Sequence, residues 1–123
     1  CGLWYTEAPP DPNAPDRAAD PIGLPAPGHT RWLLSVIGPN MDWPPHRTNT
    51  IDYGCIITGA CDLVLDDDVV HLGPGDCVVI NGANHGWRTG PEGCTMSTIV
   101  IGYADTEPVT LDATGPTAVE GRA

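Results

Sequence analysis

The chain has 123 residues, enough for one domain with a single core, and 41% of them are hydrophobic. Its formal net charge of −11 comes from 16 acidic residues against five arginines and no lysine, which argues against a nucleic-acid partner or an anionic membrane surface. The lack of lysine also excludes a lysine Schiff base. No stretch of the sequence is apolar enough to span a membrane and no signal peptide is visible, which favours a cytoplasmic protein.

In chain order, residues 1–29 predict an extended, Pro-rich N-terminal arm with Trp4 and Tyr5 as an aromatic anchor. Residues 30–103 have the pattern of a β-barrel, and residues 104–123 that of a polar C-terminal tail. The predicted strands are 31–37, 46–58, 61–65, 69–72, 77–80, 85–88 and 94–103. Gly-, Pro- and Asp-rich turns separate them, including an entry turn at Pro44-Pro45 and a turn at residues 90–93. Short strands at this spacing, without a convincing helix, predict an all-β sandwich or barrel.

The five cysteines form no Cys-x-x-Cys pair and no regular framework. Four of them, Cys55, Cys61, Cys77 and Cys94, lie in or beside apolar, strand-like runs. Reduced cysteine behaves as a small hydrophobic residue in such a position. We therefore expect buried free thiols and a reducing compartment.

Two short stretches hold the candidate functional residues. His46, Thr48, Thr50 and Asp52 alternate along one predicted strand, so their side chains share a face. His85 and Trp87 share a face in the same way on a later strand. Two imidazoles and a carboxylate that converge inside a barrel would form a facial metal site with open coordination positions.

The first stretch resembles the first motif of the cupin superfamily, whose members are small jelly-roll β-barrels. His46 takes the first histidine position, and Thr48 stands where the second histidine is usual. Asp52 takes the glutamate position, and Gly59 follows at the glycine position. The residues 46–53 read His-Arg-Thr-x-Thr-x-Asp-Tyr, which is similar to one subgroup of small single-domain cupins.

The second stretch is similar to the second cupin motif. A Gly-Asp turn at residues 75–76 precedes Gly82 and His85. Ile80 and Thr89 replace the usual proline and asparagine. The resemblance covers residues 30–103 and implies one cupin-type jelly-roll barrel after the Pro-rich arm.

The resemblance implies a small-molecule enzyme in which His46, Asp52 and His85 are catalytic and bind a divalent metal: iron, zinc, manganese or nickel. Thr48, Thr50 and Trp87 are then expected to contact the substrate. Two other interpretations stay open: both histidines could be structural, and Asp52 could orient a histidine or bind substrate. Trp87 could equally be part of the core.

The reaction expected from this site is of lyase type, meaning dehydration, decarboxylation, cyclisation or isomerisation of an oxygenated metabolite in natural-product metabolism. A non-haem iron dioxygenase and a non-catalytic small-molecule-binding cupin are the alternatives. A homodimer is expected because barrels with exposed edge strands commonly bury those strands by pairing. The sequence thus predicts a small-molecule partner and neither a nucleic-acid nor a membrane partner.

Overall fold

The computed structural model describes residues 1–20, 23–104 and 117–118, and these contain strands and no helix. The strands are β1 (Gly2–Thr6), β2 (Thr30–Ile37), β3 (Met41–His46), β4 (Thr50–Val64), β5 (Val69–Leu72), β6 (Cys77–Asn81), β7 (His85–Gly102) and β8 (Thr117–Ala118). The predicted all-β barrel is therefore confirmed. Because the described ranges contain no helix, they also contain none long and apolar enough to cross a membrane. The predicted tail 104–123 lies, apart from Ala104 and β8, outside the described residues.

Two long strands bend and contribute to both layers of the barrel. The carboxyl half of β7 pairs with β2 and with the first half of β4, and β1 and β6 extend this layer at its two edges. The amino half of β7 pairs with β3 and with the second half of β4, to which β5 is added. The pairing of β4 with β7 slips at residues 56–61, and this irregularity marks the bend.

The bend requires a glycine at position 59 for two reasons. Its φ of 74° lies in the left-handed region, and a Cβ at this position would overlap the carbonyl oxygen of Gly93 on β7. The glycine of the first motif therefore permits the close approach of the two long strands where they change layer.

Several predicted boundaries were wrong. The run 46–58 was expected to be one strand, but the chain forms β3 and β4 with a break at residues 47–49. Pro44 and Pro45 belong to β3 rather than to a turn that precedes a strand. The turn predicted at residues 90–93 is an irregularity within β7. The arm begins with β1, which pairs antiparallel with β2, and the Tyr5 hydroxyl hydrogen-bonds His29 Nδ1 at 2.5 Å.

The interior of the barrel holds a continuous apolar core. Its buried members are Ile37, Ile56, Cys61, Leu63, Leu72, Ile80, Trp87, Cys94 and Met96. The outer face of the larger layer also carries apolar side chains, in a row that crosses five strands at matching register: Trp4, Trp32, Ile99, Tyr53 and Val79. All five are more than 40% exposed. We call this set the outer apolar row.

Candidate functional site

A cavity of about 180 Å³ lies between the two layers of the barrel. Most of its wall is apolar, with side chains of Leu24, Leu33, Ile37, Trp43, Ile56, Val78, Ile80, Trp87, Met96 and Val100. The polar residues at the wall are Ser35, His46, Thr48, Asp52, His85 and Thr98, and Gly54 and Cys55 complete it. An engineered apolar cavity of about 150 Å³ accepts benzene, so this space suits a ligand with one ring and few substituents.

The two histidines of the motifs form a pair at the cavity wall. His46 and His85 are cross-strand partners on β3 and β7, and their ring centroids are 4.5 Å apart. They are 7% and 3% exposed, respectively. The sequence prediction that both side chains point into the barrel agrees with this placement.

Backbone hydrogen bonds fix which nitrogen of each imidazole is available. The Nδ1 atom of His46 lies 3.0 Å from the carbonyl oxygen of Pro44, and that of His85 lies 2.9 Å from the carbonyl oxygen of Ala83. A carbonyl can only accept, so each Nδ1 carries the hydrogen and donates it. In the neutral imidazole, Nε2 is then left with its lone pair, as required of a metal ligand or a general base.

A β-bulge brings Trp43 to the same site. Trp43 pairs with Trp87 and His46 pairs with His85, so β3 uses one residue more than β7 between the two pairs. The bulge includes the two prolines, and it allows Trp43 to stack on His46 with ring centroids 5.3 Å apart and planes 26° apart. Simple alternation along the strand would have put these two rings on opposite faces.

Gly86 permits the close contact between β7 and the bulge. This residue lies between His85 and Trp87, and a Cβ here would be 2.7 Å from the carbonyl oxygen of Trp43. Any side chain at position 86 would therefore push β3 away from β7. The short distance between the two imidazoles depends on this glycine.

Trp87 contributes to both the cavity and the core. It is 8% exposed, lies at the cavity wall, and contacts the His85 ring edge to face with centroids 6.0 Å apart. It is also a member of the core cluster. The two interpretations of Trp87 given by the sequence are therefore compatible, since one face of the ring can serve a ligand while the rest packs.

A chain of hydrogen bonds joins the three polar residues of β4 and its preceding loop. The hydroxyls of Thr48 and Thr50 are 2.6 Å apart, and Thr50 Oγ1 donates to Asp52 Oδ1 at 2.7 Å. Thr48 and Asp52 are at the cavity wall, whereas Thr50 is not among the residues that line it and is only 2% exposed. Thr50 was expected to contact substrate, and its observed position is behind the wall, where it orients Asp52.

The charges of the site are coupled. Burial raises the pKa of Asp52, and the hydrogen bond from Thr50 and the two histidines partly oppose this rise. Burial also lowers the pKa of His85, as does a charge on His46, while the Ala83 hydrogen bond and Asp52 act in the opposite direction. His85 is therefore neutral at neutral pH, with its Nε2 lone pair free.

The donor set fits a divalent metal in part. Two neutral imidazoles with free Nε2 atoms are suitable ligands for zinc, iron, manganese or nickel. Within the described ranges, however, no group of three His, Cys, Asp or Glu side chains has an arrangement that could hold an ion. Asp52 shares the cavity with the histidine pair, but this arrangement does not supply the expected third ligand.

One residue at a motif position, Thr89, has a structural role. Thr89, at the position of the usual asparagine, is 1% exposed; its hydroxyl accepts from the Met41 amide at 2.9 Å and donates to the Gly38 carbonyl at 2.6 Å. It ties the turn between β2 and β3 to β7.

The sequence did not suggest four of the cavity residues, which are Leu24, Ser35, Trp43 and Thr98. Only Ser35 and Thr98 could have been indicated, by the alternation of side chains along β2 and β7.

Comparisons with known proteins agree with the architecture. No family model matches the chain. In solved structures, an uncharacterised protein with a double-stranded β-helix domain from Klebsiella pneumoniae matches with a TM-score of 0.58 and 18% identity, over 72% of this chain and 80% of that one. A cupin-2 domain protein from Shewanella frigidimarina matches with a TM-score of 0.50 and 17% identity, over 57% and 68% of the two chains. The chain has the cupin fold.

Further likenesses are to a lyase structure and to two biosynthesis cluster proteins. A DMSP lyase structure matches with a TM-score of 0.57 and 17% identity, over 68% of this chain and 44% of that one. The phomopsin biosynthesis cluster proteins C′ and D of Diaporthe leptostromiformis are each 39% identical over 69 residues, which is 55% of this chain. The match spans 36% of each of these relatives.

Proposed function

We propose that this chain binds a small, oxygenated, one-ring metabolite in the barrel and transforms it by lyase-type chemistry. The observation that carries the proposal is the histidine pair: two buried imidazoles, with both Nδ1 atoms bound to backbone carbonyls, keep Nε2 free at the wall of an apolar cavity. Such groups can accept a proton from the carbon next to a carbonyl or carboxylate and return it elsewhere on the substrate.

The wall divides the proposed tasks between its residues. His85, kept neutral by burial, is the proposed general base, and the paired imidazole of His46 is the proposed proton donor. Asp52 stabilises positive charge on either ring, because its charge acts on both histidines. Trp87 and Trp43 hold the ring of the substrate against the imidazoles and exclude water.

A divalent metal is part of the proposal as an additional component of this site. His46 and His85 would hold it through Nε2, and Asp52 places a carboxylate at the same cavity wall. When bound, it would polarise a carbonyl or carboxylate oxygen of the substrate. The orientation of the imidazoles and the dry apolar wall are supplied by the chain in either case.

The comparisons support the metabolic setting. The two phomopsin proteins are named for a biosynthesis cluster, and we propose natural-product metabolism for this chain as well. The fold it shares with a DMSP lyase is compatible with lyase chemistry. The apolar wall and the net charge of −11 favour a neutral or singly charged substrate over a highly anionic one.

A ligand-observed NMR screen of one-ring carboxylates, lactones and enones, followed by product analysis in deuterated water, tests the proposal. We expect a hit whose substrate-derived hydrogen exchanges with solvent, and His85→Gln should abolish exchange while the folded signal remains. The experiment should be run with and without added Zn²⁺, Fe²⁺ and Mn²⁺, and metal content should be measured after each addition.

The outcomes separate the alternatives. Stoichiometric oxygen consumption with Fe²⁺ would favour the dioxygenase, and binding of a hit without exchange or product would favour the non-catalytic binding protein. Metal content that is equal in the parent, His46→Ala and His85→Ala would remove the metal from the proposal and leave the proton-transfer role to be judged by exchange alone.

A further inference from the structure

The four cysteines predicted to be buried do not share one environment. Cys61 and Cys94 are buried in the core, but Cys55 is half-buried and Cys77 is exposed. The expectation of four buried thiols was wrong for Cys77, which begins β6 directly after the turn at residues 73–76. Two of the cysteines are therefore available to reagents in solution.

These two cysteines are direct cross-strand partners. Cys55 on β4 pairs with Cys77 on β6. The amide of Ile56 donates to the carbonyl of Asp76 at 3.0 Å, and the carbonyl of Ile56 accepts from the amide of Gly75 at 2.8 Å, so the ladder is hydrogen-bonded at Ile56, the residue next to Cys55. Since the two kinds of pair alternate along an antiparallel ladder, Cys55 and Cys77 form a non-hydrogen-bonded pair, in which Cα atoms are about 4.5 Å apart.

This separation suits a disulfide, because bonded cysteines have Cα atoms roughly 4.4–6.8 Å apart. The two side chains are close enough to interact, because the Cys77 thiol raises the pKa of Cys55, while the thiols donate to the carbonyl oxygens of Ile56 and Gly75, each at 3.7 Å. Both occupy the same strand face as Tyr53 and Val79 of the outer apolar row, two positions further along the ladder. Among the described strands β6 pairs with β4 alone, so it is an edge strand that can adjust to a new bond.

We propose that Cys55 and Cys77 are a reversible oxidation site, at which a peroxide converts the two thiols into a cross-strand disulfide. The sulfur of exposed Cys77 attacks the O–O bond of hydrogen peroxide, forms a sulfenic acid and releases one water. The sulfur of Cys55 then attacks the sulfur of Cys77, the S–O bond breaks, and a second water leaves. The two thiols lose two electrons and two protons in total, and one peroxide becomes two waters.

The bond would lie beside the cavity. Cys55 lines the cavity wall with its neighbours Gly54 and Ile56 and with Val78 and Ile80 of β6. A disulfide at this position would fasten the edge strand β6 to β4 at the cavity wall. Thiol reductants restore the dithiol by exchange, so the modification is reversible.

The chain supplies a matched control in the Cys61–Cys94 pair. These thiols are also close enough to affect each other's pKa, but they lie in the core, where burial raises the pKa of Cys61 above its usual range. A peroxide should reach them on the order of tenfold more slowly, because both exposure and thiolate formation are reduced. Both pairs have neighbouring sulfurs, but only Cys77 is exposed. We therefore expect the bond to form between Cys55 and Cys77 and not between Cys61 and Cys94.

The test is treatment of the full chain with hydrogen peroxide, followed by alkylation of free thiols and non-reducing peptide mapping. A Cys1→Ser background removes the other exposed thiol. Cleavage after Asp and Glu places Cys77 and Cys94 on different peptides and leaves Cys55 with Cys61 on peptide 53–62. We expect peptide 53–62 linked to peptide 77–92, with the link reversed by dithiothreitol.

Two variants assign the bond. Cys55→Ser should abolish the link and leave a sulfenic acid on Cys77 that dimedone traps, whereas Cys61→Ser should keep the link. Circular dichroism checks that each variant retains its β-sheet signal. A link that persists in Cys55→Ser, an intermolecular link alone, or free Cys55 and Cys77 thiols after the peroxide has oxidised Cys1 in the parent would each overturn the proposal.

Discussion

Replacement of Thr50 by valine tests the hydrogen-bond chain that orients Asp52. Valine has nearly the shape of threonine, so at this 2% exposed position it removes the hydroxyl without opening a cavity. The variant loses the 2.7 Å bond to the Asp52 carboxylate, which is worth about 1.5–3 kcal/mol because the acceptor is charged. It also loses the 2.6 Å bond to Thr48, worth about 1 kcal/mol.

We therefore expect Thr50→Val to lower the free energy of unfolding by about 2–4 kcal/mol at pH 7. The control is Thr48→Val, which removes the bond between the two hydroxyls but keeps the one to Asp52, and it should cost only about 1 kcal/mol. Urea denaturation followed by tryptophan fluorescence measures both values. Equal losses for the two variants would show that the carboxylate bond contributes nothing special.

The pH dependence of stability is a second, independent test of the hydrogen bond between Thr50 and Asp52. The pKa of Asp52 is raised in the folded state, so folding stability falls as pH rises from 3.8 through that raised pKa. Without the Thr50 hydrogen bond, which lowers the pKa, the fall should be steeper. The destabilisation by Thr50→Val should then grow between pH 4 and pH 7, and in an Asp52→Asn background it should shrink by about 1 kcal/mol. A destabilisation that is independent of pH, or additive with Asp52→Asn within about 0.5 kcal/mol, would refute the reasoning.

Three further predictions concern other parts of the molecule. Gly86→Ala should lower the free energy of unfolding by about 1–3 kcal/mol and separate the two imidazoles, because its Cβ would be 2.7 Å from the Trp43 carbonyl oxygen. The control in the same denaturation assay is Gly90→Ala, where a Cβ meets nothing within 4 Å. The pKa of His85 is lowered in the folded state, so its contribution to stability is complete above 6.5 and is lost as pH falls through the folded pKa; His85→Gln should flatten this loss, and an unchanged slope would contradict the assignment. The expected homodimer is tested by sedimentation: Tyr53→Asp in the outer apolar row should convert dimer to monomer, and a parent that already sediments as a monomer removes the expectation.

The sequence alone determined the faces of the strands that carry the site. Alternation placed Thr48, Thr50 and Asp52 on one side, and the hydrogen bonds between their side chains follow from this. It also placed His85 and Trp87 together at the cavity wall. These inferences held because the two-residue period is a local property of an extended chain and needs no knowledge of its partners.

Which residues meet across paired strands was decided only by the tertiary structure. The bulge in β3 puts Trp43 on the same side as His46 against simple alternation, and a bulge exists only relative to the strand opposite. The pairing of Cys55 with Cys77 depends on the register between β4 and β6, which separates sequence neighbours from neighbours in space. The position of Thr50 behind the wall rather than at the cavity depends on where the second layer closes over the first. Periodicity determines the side on which a residue lies, whereas register, bulges and layer closure determine which residues it meets.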